Sequence, residues 1–431
     1  MRILYVSQYY PPDMGAPSAR VSELARHWQA SGHEVTVLTA VSHHPHGKKR
    51  PEDRRVAWRR ERDGDVDLVR TYVFAARNAG FFWRIVSFLS FMLAAMVAGM
   101  FLRRRYDVVI ATSPQLFTGI AGWWLARFHR AKFIFEVRDL WPESIVGVGA
   151  MQESAVIAGL ERLARWLYVT ADLVVTVGSG YRRRIIEKYG IPANKIRVVT
   201  NGVDLSKFNF RNSDREKVRR MHGWEAEFVV LYLGTEGMAH GLEFVLDAAE
   251  KSRDAAGLRF VFVGDGAERP ALQLEAERRG LTNVTFLPAQ LREKVVGYYA
   301  AADVCLVPLR RVELFADVVP SKMFEIMAME RPIIVSVDGF ARDQVIRANA
   351  GIAIEPENAD SLANAIDKLR TNPGWTNELG RNGRPFVARH FCRKMLADSY
   401  LRILAPLVTP SSAEVVTLPL PEPAAARKAA A

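Results

Sequence analysis

Residues 317–332, DVVPSKMFEIMAMERP, carry the densest chemistry in the chain, directly after the apolar stretch VCLVPL at 304–309. Two acids, Asp317 and Glu325, are separated by a segment holding Pro320, Ser321 and Lys322. Pro320 suits the first turn of a helix, Ser321 is a weak cap, and Met323, Phe324, Ile326 and Met327 supply an apolar face. The pattern predicts a strand, a loop and then a helix whose N-terminus points out of a parallel sheet. Free N–H groups and the helix dipole draw anions to such a terminus, and Lys322 adds a full positive charge. The chemistry suited to that arrangement is the binding of a diphosphate.

The elements that would position this segment repeat the same strand–loop–helix theme. After a predicted strand at 228–233, the loop GTEGMAHG places Gly234, Thr235, Gly237 and His240 ahead of a helix from Leu242, and its N–H groups can cradle phosphate. Predicted strands at 259–263 and 284–287 end in Gly264-Asp265-Gly266 and in Leu287-Pro288. In the first half, a strand at 3–7, a loop with Gly15, a helix at 18–31 and a strand at 33–39 open a Rossmann-like unit, although no G-x-G-x-x-G occurs. A strand at 132–138 ends in Arg138-Asp139, within FEVRDLWPES.

These segments resemble the retaining, nucleotide-sugar-dependent glycosyltransferases of family 4, and in particular the bacterial enzymes that build O-antigen and exopolysaccharide. The resemblance rests on the acid-x7-acid spacing of Asp317 and Glu325, on PSKMFE at 320–325, on FEVRDLWPES at 135–144 and on NGVD at 201–204. It implies an α/β GT-B fold, two Rossmann-like domains facing each other across a cleft. Glu325 matches the acid that holds the nucleotide ribose, and Asp317 stands at the first acid's position. Arg138 takes the place of a histidine that often faces the donor sugar. Gly15 matches one glycine of a phosphate loop, and Leu287 and Pro288 fall where backbone meets the nucleobase. His240 replaces a usual lysine, which leaves more of the charge to Lys322. The implied catalytic set is Lys322, Asp317, Arg138 and Asp139. The implied nucleotide-sugar set is Gly15, Gly234, Thr235, Gly237, His240, Gly264, Asp265, Gly266, Leu287, Pro288, Ser321 and Glu325, with no metal and no cofactor. The expected reaction moves a sugar from a nucleoside-diphosphate sugar, UDP-linked first and GDP-linked next, to a lipid-linked saccharide at the inner face of the cytoplasmic membrane. A nucleotide-sugar epimerase of the same fold is the enzymatic alternative.

A chain of 431 residues suits two domains, and 49% hydrophobic with 25% charged residues marks a globular protein. The net charge of +12 calls for a polyanionic neighbour. The arginines are scattered over several predicted elements without a zinc-finger or RNA-binding signature, which argues against the other alternative, a non-enzymatic nucleic-acid-binding module. Cys305 and Cys392 are too few for a disulfide framework. His43, His44 and His46 lack a second ligand cluster, and Asp63, Asp65 and Asp67 lie among arginines, so loops rather than metal sites are expected. The opening MRILYVSQYYPP has no signal-peptide pattern, which places the expected catalytic part in the cytoplasm.

Residues 85–102, IVSFLSFMLAAMVAGMFL, are uncharged and reach the lower length limit of a membrane span. The next apolar run, 106–111, reads as a strand of the sheet begun at 3–7, so a span would divide that sheet across the bilayer. The expected arrangement is a segment at 81–105, extendable to 128, lying in one leaflet. Phe81, Phe82 and Trp83 would sit at the interface, and Arg103, Arg104 and Arg105 at anionic headgroups. A wholly buried core helix is the alternative. The expected domains are 1–207 and 208–383, followed by a helix at 384–404 returning to the first domain and a disordered Pro- and Ala-rich tail at 405–431.

Overall fold

Strands that are apolar almost throughout need helices on both faces of their sheet, and this chain alternates the two. In the computed structural model RILYV becomes β1 (Arg2–Val6), buried from its second residue onward. The described residues are 1–44, 47–75, 81–113, 115–152 and 154–408. The first sheet continues through β2 (Glu34–Ala40), β3 (Trp58–Asp63), β4 (Val66–Thr71), β5 (Val108–Thr112), β6 (Lys132–Val137), β7 (Leu173–Thr176) and β8 (Ile196–Val198). Its order is β3-β4-β2-β1-β5-β6-β7-β8, parallel except for the antiparallel β3–β4 pair. The second sheet comprises β9 (Phe228–Thr235), β10 (Leu258–Asp265), β11 (Val284–Pro288), β12 (Val304–Pro308), β13 (Ile333–Ser336) and β14 (Gly351–Ala353). Its order, β11-β10-β9-β12-β13-β14, is the doubly wound Rossmann order.

The chain passes between the two α/β units twice, and the two passages run side by side. Val203 forms a parallel bridge with Cys392, Arg393 N donates to Val203 O at 2.9 Å, and Val203 N donates to Phe391 O at 3.0 Å. The last helix, Arg393–Val408, then lies on the Ala16–Ala30 helix. Trp28 ties them together: its Nε1 donates to Ala397 O at 3.1 Å, and its ring stacks on Tyr5 and meets Tyr400 edge-on. The returning helix therefore begins at Arg393. Arg384 belongs to the preceding helix, Pro373–His390, which packs on the Ser321–Ala328 helix of the second unit. The chain stays helical to Val408, so the expected tail starts later than 405; residues 409–431 lie outside the described residues.

The apolar stretch forms one helix, Phe81–Met100, packed on the Leu116–His129 helix and on the β2–β4 side of the sheet. It is not the wholly buried core helix of the alternative. Phe88, Phe91 and Ala95 are buried, whereas Leu93, Val97 and Phe101 stand out to solvent, and a third of the apolar window Phe82–Met100 is buried. Because β4 precedes it and β5 follows it in the same sheet, the helix does not cross a membrane with its neighbours in place. The Leu116–His129 helix buries one face, while Trp124 and Phe128 stand exposed on the other.

Candidate active site

In a doubly wound sheet the crevice for a ligand opens beyond the carboxyl ends of the strands where the chain switches direction. Here those points are β1/β5 in the first sheet and β9/β12 in the second. The loop after β1 ends at Gly15, whose φ of +118° is a backbone state that L side chains rarely adopt, and which caps the Ala16–Ala30 helix. The loops after β9 and β12 are the GMAHG segment and residues 309–320, which lead into the Ser321–Ala328 helix. Strand register completes the row: Gly234 pairs with Gly264, and Gly264 with Pro288, so three predicted loops begin side by side.

Lys322 lies in this crevice. Its ammonium nitrogen is buried without a hydrogen-bond partner and sits 4.1 Å from the centre of the Tyr232 ring. A Cβ at position 234 would fall 2.7 Å from that nitrogen, so glycine is what lets the amine approach β9. Burial pushes the Lys322 ammonium down to about 7, against the raising pull of Glu325 and Glu236. The helix starts one residue later than its composition suggests: Pro320 is the cap residue and Ser321 the first helical residue, with no side-chain cap. The first N–H groups are thus left for a ligand.

Around the amine stand groups with no local sequence signal. Glu236 is fully buried, and Arg269 Nη1 meets its Oε1 at 2.9 Å while its Oε2 has no partner. Burial pushes the Glu236 carboxyl up to about 7, with Arg269 pulling it down. Arg269 also donates to Gly264 O at 2.9 Å and Leu287 O at 3.0 Å, fastening the ends of β10 and β11. Asp265 turns its Oδ1 back onto Gly266 N at 2.8 Å, and Thr235 closes β9 by accepting from the Tyr232 hydroxyl. Gly237 caps the short turn Met238–His240. His240 bonds Pro308 O through Nδ1 at 3.1 Å, and burial lowers it to about 3, so it is neutral and Lys322 carries the charge.

Glu325, one helical turn beyond Lys322, receives Arg292 Nη2 at 3.0 Å and the Tyr299 hydroxyl at 3.3 Å. The same Arg292 nitrogen reaches Glu23 of the first unit at 3.2 Å, so Arg292 bridges the cleft. Asp317, at the first acid's position, pairs across the two units. Its carboxylate is held by Arg183 at 3.2 Å and Arg184 at 2.6 Å, and it serves as a tie between the units, as does the 2.9 Å bond from Asn201 Nδ2 to Val319 O.

Arg138 and Asp139 follow β6 on the opposite wall. Arg138 N donates to Ser113 Oγ at 2.8 Å, but its side chain makes no ion pair with Glu143, which instead binds Tyr189 and Lys188. Burial raises the Asp139 carboxyl to about 6, partly offset by Ser144. Among the described residues no group of three or more His, Cys, Asp or Glu could hold a metal, and both cysteines are free. His43 bonds Val41 O and Gln8; His46 lies outside the described residues.

A buried, unpaired ammonium at a helix N-terminus, opposite a glycine cap and beside a carboxylate, can neutralise a diphosphate and grip a diol. Its titration gives a testable sign. As pH rises through 7, Lys322 loses its positive charge and Glu236 gains a negative one; both changes make the crevice less attractive to an anion. Affinity for a nucleoside-diphosphate sugar should be level below pH 7 and fall by up to about tenfold per unit above it. Calorimetry from pH 6 to 9 checks this, and affinity that rises with pH contradicts it.

Two family models match the chain in order: a Glycosyl transferase 4-like domain over residues 15–202 and Glycosyl transferases group 1 over residues 214–386. The chain is 26% identical over 376 residues to the putative colanic acid biosynthesis glycosyl transferase WcaI of Escherichia coli (strain K12), spanning 85% of this chain and 91% of that one. Its fold is shared with sucrose-phosphate synthase from Thermosynechococcus elongatus, at a TM-score of 0.75 and 20% identity over 94% of this chain and 98% of that one. Anabaena Alr3699/HepE, solved in complex with UDP and glucose, superposes at a TM-score of 0.70 with 17% identity over 94% and 100% of the two chains.

Proposed function

We propose, on the premise that the chain is a GT-B glycosyltransferase of the family 4 type, that it moves a sugar from a UDP-sugar to a lipid-linked saccharide with retention of configuration. The observation that carries this reading is the convergence of Lys322, Glu325 and the glycine-led ends of β9 and β10 on one crevice. Glu325 would take the ribose hydroxyls in charge-assisted hydrogen bonds. Lys322, the N–H groups from Ser321 onward and the loops at Gly15 and Gly237 would stabilise the diphosphate as it leaves, where charge develops. The acceptor attacks from the leaving-group face and passes its proton to a donor phosphate oxygen, so the chemistry needs no protein base and no metal. Support for UDP comes from the neighbour HepE, and support for a cell-surface saccharide from the name of WcaI. The test is transfer of label from UDP-[14C]sugars to the organic phase of a bacterial lipid extract. Incorporation that depends on the protein is expected; release of altered free sugar with no acceptor would instead favour an epimerase.

The acceptor's location follows from the first unit's outer surface. Phe82, Trp83, Leu93, Val97 and Phe101 line the exposed side of the apolar helix, with Trp124 and Phe128 beside them. Arg103, Arg104 and Arg105 follow directly, all exposed. A patch of apolar side chains rimmed by arginine suits the surface of an anionic bilayer, entered to one leaflet's depth. The protein would then sit on the cytoplasmic face of the inner membrane, where lipid-linked acceptors are presented. Replacing both Leu93 and Val97 with glutamate removes two insertions that contribute about 1.5–3 kcal/mol each. Cosedimentation with vesicles containing phosphatidylglycerol should drop by more than tenfold, with the melting temperature little changed. Equal cosedimentation of the variant would contradict membrane attachment by this face.

A further inference from the structure

Where β6 ends, three arginines gather among Glu136, Glu23 and Asp139. Arg20 is engaged by Glu136 at 2.6 Å and by the carbonyls of Val199 and Thr200. Arg393, 3% exposed, is engaged by Glu23 at 2.8 Å and Gly202 O at 2.6 Å. Arg138 feels the charges of both arginines and of Asp139, yet forms no ion pair with any described residue. The carboxylate nearest in charge, Glu136, is already taken by Arg20 and by the Tyr5 hydroxyl at 2.5 Å. Arg138 Nε and Nη1 and Arg393 Nη1 are all buried without an acceptor. Burial lowers the Arg138 guanidinium to about 10, which leaves it a cation at neutral pH. Arg138 itself is half-buried, and two guanidinium nitrogens buried without an acceptor oppose folding, so their presence at a cleft wall implies a ligand that supplies the missing oxygens.

We propose that Arg138, backed by Arg393, forms an anion subsite of the cleft that takes a carboxylate or phosphate borne by one of the two substrate sugars. The subsite rests on the glycosyl-transfer reading above and narrows it: one substrate is an acidic sugar. A hexuronate donor would bring the anion as its C6 carboxylate; a phosphorylated acceptor would bring it from the other side of the reaction. In either case Arg138 positions a sugar and takes no part in bond making.

The full-length protein, Arg138→Gln and Arg138→Lys are titrated calorimetrically with UDP-glucuronate and UDP-glucose, and then, saturated with UDP, with glucose 6-phosphate. A hydrogen-bonded charge contact corresponds to roughly tenfold or more in affinity. Preference of the wild type for UDP-glucuronate by that factor, reduced to near unity in Arg138→Gln and partly restored in Arg138→Lys, places the anion on the donor. Binding of glucose 6-phosphate with the same dependence on residue 138 places it on the acceptor. Melting temperature separates this role from a structural one: loss of an uncompensated buried charge should leave Arg138→Gln as stable as the wild type or more so. Absence of both preferences overturns the subsite, the more firmly if Arg138→Gln melts lower. A wild type that binds no UDP-sugar would count against UDP as the donor's nucleotide, and glucose 6-phosphate titrated into the free protein would still decide the subsite.

Discussion

Lys322→Ala should lower kcat for sugar transfer by about 10²–10³-fold, the loss typical when one preorganised donor to a developing charge is removed. The ammonium is already desolvated and has no hydrogen-bond partner to give up, so it needs no rearrangement when the diphosphate departs. Its surroundings sharpen the expectation. His240 is neutral and bonded to Pro308 O, and Arg269 is committed to Glu236 and two carbonyls. Arg310, on the loop after β12, is drawn to Glu268 at 3.5 Å. Lys322→Arg should rescue poorly, because Gly234 and Tyr232 leave room for a compact ammonium close against β9. Initial rates with saturating UDP-sugar decide the matter; a kcat within threefold of wild type would remove Lys322 from the transition state.

Glu325→Ala should weaken UDP binding by more than tenfold, the second large effect. The carboxylate lies 12% exposed between Arg292 and Tyr299, and Arg292 is shared with Glu23 across the cleft. Removing it would take away the acceptor proposed for the ribose hydroxyls and leave Arg292 with Glu23 as its one acid partner among the described residues. Comparing UDP with 2′-deoxy-UDP isolates the direct contact from that rearrangement. The deoxy analogue should bind the wild type about tenfold more weakly and the variant equally well. An equal penalty in both proteins would mean that Glu325 does not touch the ribose.

Much of this site is visible in sequence because it is local. Lys322 and Glu325 are one turn apart, and each glycine loop follows its own apolar strand, so composition and order reveal them. What escapes is the long-range pairing. Arg393 and Glu23 are 370 residues apart, and Arg20 and Glu136 are separated by 116. No pattern along the chain says that Asp317 would meet Arg183 and Arg184. The edge strand β3, WRRERD, hid for another reason: its burial alternates between half-buried and exposed, leaving no apolar run to see. The two-residue Gly64-Asp65 turn that joins it to β4, with Gly64 at a φ of +58°, is a hairpin signal. The expected helix at 384–404 straddles two observed helices, Pro373–His390 and Arg393–Val408, and the break between them falls at the bridge between Cys392 and Val203.

The most direct test is a crystal structure of the protein with UDP. The ribose hydroxyls should lie on Glu325, with Arg292 drawn aside, and the terminal phosphate within about 3 Å of Lys322 Nζ and of the N–H groups that begin its helix. A nucleotide bound elsewhere, with Lys322 still unpaired against Tyr232, would contradict the account at its centre.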